Sequence, residues 1–114
     1  MIVEKVLVES AQLTNAVAIY YTTSNKVTTV ITQATVCNAT SGAATATIYL
    51  TPPGASPGAG NAIIWQQSVA AGKTADLYPM VNHVLVSGGT AIQALASAGA
   101  SLTLRISGYE RAVT

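Results

Sequence analysis

Val27-Thr28-Thr29-Val30-Ile31-Thr32-Gln33-Ala34-Thr35-Val36-Cys37-Asn38 is the stretch whose reading decides the fold. It is uncharged and rich in Thr and Val, whose branched side chains are stiff at the first torsion and pack well against neighbours on a pleated surface. It predicts a strand over 27–38. The next residues, Asn38-Ala39-Thr40-Ser41-Gly42, have the composition of a turn. Beyond the turn, Ala44, Ala46, Ile48 and Leu50 alternate with Thr45, Thr47 and Tyr49, predicting a second strand over 44–51 with one apolar face.

Towards the N-terminus, Ala16 to Thr23 reads as a strand that carries Tyr20-Tyr21 close to its end, before the turn residues Ser24-Asn25. Ile2 to Glu9 reads as another, in which the run Val6-Leu7-Val8 implies burial on both faces. Towards the C-terminus, Pro52, Pro53, Gly54, Pro57, Gly58 and Gly60 exclude ladder pairing and predict an exposed loop up to Asn61. Strands are expected at 62–69, 74–78, 85–86, 92–96 and from Leu102 through Ser107, with a helical turn inside 79–84. Turns are expected at Ala71-Gly72-Lys73, Gly88-Gly89 and Ala98-Gly99-Ala100.

About eight short strands at this spacing predict an all-β fold, a sandwich or a barrel, as one domain over 1–114. Ala46, Ile48, Ile92, Ala94, Leu102, Leu104 and Ile106 are expected to form the buried face. The small residues Ala44, Ala46, Ala94 and Ala96 imply closely spaced sheets and a modest core.

Composition narrows the function classes. The chain has 114 residues, half of them apolar, and only five basic and four acidic groups, for a net charge of +1. A chain so apolar and so weakly charged folds rather than staying disordered. It offers neither a basic nucleic-acid footprint nor an acidic tail, and Lys5, Lys26, Lys73, Arg105 and Arg111 are scattered. No charged residue lies between Lys26 and Lys73, although an ordinary domain carries about 25% charged residues. A surface this poor in charge self-associates unless partners cover it, so a homo-oligomer is expected. The opening Met1-Ile2-Val3-Glu4-Lys5 and the early Glu9 do not fit a secretory signal, and no run of about 20 apolar residues predicts a membrane helix. Synthesis in a cytoplasm is expected, with no membrane or nucleic-acid partner.

Catalytic chemistry has little material. His83 and Asp76 are the sole His and Asp, and a triad would have to recruit Ser87 or Ser68 without any nucleophile-elbow pattern. Structural zinc needs four Cys or His ligands, against Cys37 and His83 here. Cys37 is expected to be a small buried hydrophobe. Gly72-Lys73-Thr74 matches the end of a nucleotide-binding loop, but Gln67 replaces the required earlier glycine and no helical pattern follows. No catalytic residue, metal or cofactor is therefore expected, and the chain is not read as an enzyme. The rigid aromatic residues Tyr20, Tyr21, Tyr49, Trp65 and Tyr109 are the candidate assembly contacts, because they give large contact area at low entropic cost.

The stretch Val30-Ile31-Thr32-Gln33-Ala34-Thr35-Val36-Cys37-Asn38, then Ala44-Thr45-Ala46-Thr47-Ile48-Tyr49-Leu50 and the Pro/Gly loop, resembles small structural proteins of tailed double-stranded DNA bacteriophages. Gly89-Thr90-Ala91-Ile92-Gln93-Ala94 and Leu102-Thr103-Leu104-Arg105-Ile106-Ser107-Gly108-Tyr109-Glu110 are similar to the closing part of the same pattern, so that the likeness spans roughly residues 16 to 112. The resemblance implies an antiparallel β-sandwich, with the jelly roll among its forms, that is made in the cytoplasm of a bacterial host and joins the virion in several copies, as a dimer or trimer, acting as a capsid decoration or cement protein on the major capsid protein. Its alternatives are a neck, collar or tail accessory bound to neck or tail proteins, and a receptor- or carbohydrate-binding module using Trp65, Tyr49 and the Pro52 to Asn61 loop. The resemblance carries no catalytic residue onto this chain.

Overall fold

The stretch 27–38 is a strand along its whole length and lies inside a sheet. The computed structural model describes residues 2–113. Nine strands follow one another: β1 (Ile2–Gln12), β2 (Ala18–Thr22), β3 (Val27–Asn38), β4 (Ala44–Thr51), β5 (Ala62–Val69), β6 (Thr74–Asp76), β7 (Val84–Leu85), β8 (Ala91–Ala96) and β9 (Leu102–Ala112). Short 3-10 turns occupy Ala59–Asn61 and Tyr78–Met80.

Every strand pairing is antiparallel, and the pairs are nested. β4 pairs with β5, β3 with β6 and β7, β2 with β8, and β1 with β9. The chain is thus a doubled-back ribbon, and rolling it brings β9 beside β3 and β8 beside β4. The result is two sheets, one in the order β1-β9-β3-β6 with β7 also on β3, the other in the order β2-β8-β4-β5. That winding is a jelly roll.

The alternation read from the sequence builds the core. Ala46, Ile48, Ile92, Ala94, Leu102, Leu104 and Ile106 are all fully buried, joined by Leu13, Ile31, Val36, Leu77, Met80 and Leu85. Ala44 and Ala96 are also buried. Leu50 departs from the expected pattern and is half-buried, at a cleft shared with Ile63, Val84 and Val86. The run Val6-Leu7-Val8 is not buried on both faces. A register shift between Val6 and Val8 turns Leu7 and Val8 into the core and leaves Val6 half-buried. Cys37 is half-buried rather than buried, because it alternates with the core residue Val36.

Two devices fix the roll. Asn38, fully buried, donates from Nδ2 to the carbonyls of Gly42 at 2.8 Å and Val69 at 2.9 Å. Its Oδ1 accepts from the Thr40 backbone N–H at 3.0 Å and from Thr40 Oγ1 at 2.7 Å. One side chain therefore closes the β3–β4 turn and ties it to β5 in the other sheet. At the opposite end of β3, the buried Thr23 hydroxyl donates to the Val86 carbonyl at 2.9 Å and accepts from the N–H groups of Gly89 and Thr90 at 3.1 and 3.0 Å.

Candidate assembly surface

The aromatic residues singled out from the sequence are divided between the sheets. Tyr20 and Tyr21 sit on β2, Tyr49 on β4 and Trp65 on β5, all in one sheet, whereas Tyr109 is on β9 in the other. Tyr20 and Tyr21 are half-buried and pack against the core. A register shift between Ile19 and Tyr21 interrupts the alternation that would set adjacent residues on opposite faces.

The Tyr21 hydroxyl is committed inside the fold. It donates to Glu110 Oε2 at 2.5 Å, so the contact with Thr29 Oγ1 at 2.6 Å has Thr29 as donor, since a phenol carries one proton. Lys5 Nζ lies 3.4 Å from the other Glu110 oxygen. Burial and the adjacent carboxylate push the Tyr21 phenol up to about 12. The cluster bridges the sheets through β2, β3, β9 and β1.

Trp65 is the opposite case. Ile64 before it points into the core, so Trp65 points out and is 57% exposed. Tyr49 is half-buried on the outer side of β4, opposite Gln93 on β8 and Ala62 on β5. On the far edge Ile19 is 60% exposed, opposite the same Gln93. The cross-strand row Ile19, Gln93, Tyr49, Ala62 therefore runs across the whole sheet, with Trp65 three residues beyond Ala62 on β5.

A second exposed apolar group lies on the other sheet's flank. Tyr78 is 76% exposed and lines a groove of about 540 Å3 with Gln33, Ala34, Leu77 and Val81, while Val84 and Val86, both exposed, line the separate cleft shared with Leu50 and Ile63. Tyr78 is one of the chain's five tyrosines but not one of the five candidate contacts, and it ends the strand expected over 74–78. The strand stops at Asp76, and Tyr78 and Pro79 enter a 3-10 turn.

The groups weighed for chemistry are dispersed. Ser68 is on β5 and Asp76 on β6 in the other sheet, and the Asp76 carboxylate has Tyr78 Oη at 3.5 Å. His83 and Ser87 flank β7, and the His83 backbone carbonyl accepts from the Ile31 N–H. Gly72, at φ +71, forms a turn that leads Lys73 and Thr74 into strand β6 instead of a helix. Among the described residues no three of His, Cys, Asp and Glu gather to hold a metal ion, and no helix is long and apolar enough to cross a membrane.

No family model matches the chain, and no curated protein matches it. Its fold is that of a β-sandwich found in a solved structure of Bacillus endospore appendages, described as forming a novel family of disulfide-linked pili. The two superpose with a TM-score of 0.57, covering 99% of this chain and 89% of that one, at 17% identity. At that identity the likeness is one of fold.

Proposed function

We propose that the chain is a structural subunit of a bacteriophage virion, a decoration or cement protein that binds between coat subunits on the outside of the head and stabilises the shell. The observation that carries this reading is the exposed apolar surface on two sides of a small sandwich: Ile19 and Trp65 on one sheet, Tyr78, Val84 and Val86 at the edge of the other. A subunit wedged between neighbours needs contact surface on more than one side. The phage-like sequence pattern supports the same reading. A subunit that binds only the assembled shell stabilises that shell by mass action, without chemistry. Fractionated virions test it. Hundreds of copies in purified heads are expected, following icosahedral symmetry, whereas a dozen or fewer in necks or tails would move the assignment to a ring component.

The pilus-like fold favours a second reading, in which copies of the chain join in a filament. The residues present supply one cysteine, Cys37, and a chain of disulfide-linked subunits needs two per copy, so such a filament would be held by non-covalent contacts. Electron microscopy of the purified protein separates the readings: discrete particles fit the cement, continuous fibres the filament.

A further inference from the structure

The nine charged residues gather on one sheet and in the turns beside it. Glu4, Lys5 and Glu9 on β1, Asp76 on β6, and Arg105, Glu110 and Arg111 on β9 all belong to one sheet, and Lys26 and Lys73 lie in turns next to its strands β3 and β6. The other sheet, β2-β8-β4-β5, carries no Asp, Glu, Lys, Arg or His in any of its strands. On its outer side Ile19 and Trp65 are exposed and Tyr49 and Leu95 half-buried, while Ala91, Gln93, Thr47 and Thr51 between them are already buried within the chain.

We infer that this uncharged outer face is where two copies of the chain meet, face to face, about a two-fold axis. Three observations favour a second copy as the occupant. First, a two-fold pairing sets a face against itself, and a face without charges brings no like charges together, whereas the β1-β9-β3-β6 sheet would. Second, the buried polar groups on this side are already paired within the fold. Gln93 Nε2 donates to Thr51 Oγ1 at 3.1 Å, Thr51 Oγ1 donates to the Ala91 carbonyl at 3.4 Å, and Thr47 Oγ1 accepts from the Gln66 N–H at 3.1 Å. Expelling water from the face leaves these groups satisfied. Third, the area fits a weak pairing. Four strands of five to eight residues, at about 3.3 Å per residue and about 4.8 Å apart, outline roughly 430 Å2 per copy and about 860 Å2 for a pair, at the small end of interface sizes.

The edges of this sheet leave the face as the route. β2 has a register shift between Ile19 and Tyr21, and β5 is broken where Gln66 takes a φ of +49° opposite β4. Such breaks disfavour strand addition at an edge.

Sedimentation equilibrium of the purified full chain, from roughly 1 to 100 µM, tests the inference over the range in which interfaces of this size dissociate. A dimer is expected for the wild type. Ile19→Glu, Ile19→Lys and Trp65→Glu are each expected to weaken it by about a hundredfold, because each buries an unpaired charge. These positions are exposed in the single chain, so circular dichroism should show an unchanged sheet signal. Val84→Glu, on the other sheet's flank, is expected to dimerise as the wild type does. A trimer, a wild-type monomer throughout, or a dimer lost in Val84→Glu and kept in the Ile19 and Trp65 variants would overturn it. A monomer that binds phage heads, and loses that binding in Ile19→Glu, would assign the face to the coat. That outcome overturns the self-docking and leaves the shell function standing. A dimer that ignores heads does the reverse.

Discussion

Gly108 shows how tightly single positions are set. A Cβ built on it would lie 2.2 Å from the Val30 carbonyl oxygen and 2.9 Å from Leu7 Cδ1, so the bare backbone of β9 is what lets β3 and β1 close against it. Gly108→Ala is expected to destabilise the protein by about 3 kcal/mol in urea unfolding, at the upper end of overpacking costs. Gly99→Ala, which meets nothing within 4 Å, should change stability by less than about 0.5 kcal/mol. Tyr21 gives a pH-dependent counterpart. Its phenol titrates near 12 in the fold and near 10.0 when unfolded, so the neutral form is the one the fold favours. The stabilisation is complete below pH 10 and is lost as the pH rises from about 10 to 12, where the unfolded chain gives up its proton first. Tyr21→Phe is expected to show a shallower fall in melting temperature across that window than the wild type, and an identical fall would show that the hydroxyl contributes nothing there.

At the scale of elements, Asn38 is where the turn residue does more than turn. With four hydrogen bonds to a side chain that is 0% exposed, Asn38→Ala is expected to cost about 2–4 kcal/mol, since it orphans the buried Val69 carbonyl along with the turn. Chemical denaturation measures that loss, and a cost below about 0.5 kcal/mol would show that water replaces the side chain freely. The sequence marked Asn38 as part of a turn, but its bond to β5 joins residues 31 positions apart and no local pattern reports it. The same contrast runs through the strands. β3, β4 and β5 begin and end where alternation and turn residues place them, at 27–38, 44–51 and 62–69. β1 and β9 run on to Gln12 and Ala112, beyond the expected Glu9 and Ser107, because pairing with each other sustains ladders that polar residues would not predict. The bulges that turn Leu7 and Val8 inward belong to that pairing and break the period of two. Of the candidate contacts, Trp65 and Tyr49 stand on the uncharged outer face and Tyr21 is tied to Glu110. The aromatic residues were legible as a set, whereas the strand face each occupies depended on irregularities of register.

For the whole molecule, the proposed function has this small jelly roll hold a larger assembly together through apolar surface. The charge deficit was legible in the composition, but its segregation onto one sheet was not, because it arises when distant strands pair. Contacts made mainly by apolar groups should be insensitive to salt, which at 1 M screens ion pairs beyond about 3 Å. The most direct measurement adds the purified protein back to phage heads that lack it, at low salt and at about 1 M salt, while DNA release on heating is followed. The account predicts a higher release temperature at both salt concentrations, rising with the logarithm of protein concentration above the dissociation constant. An unchanged release temperature, or protein stripped from the heads by high salt, would contradict it.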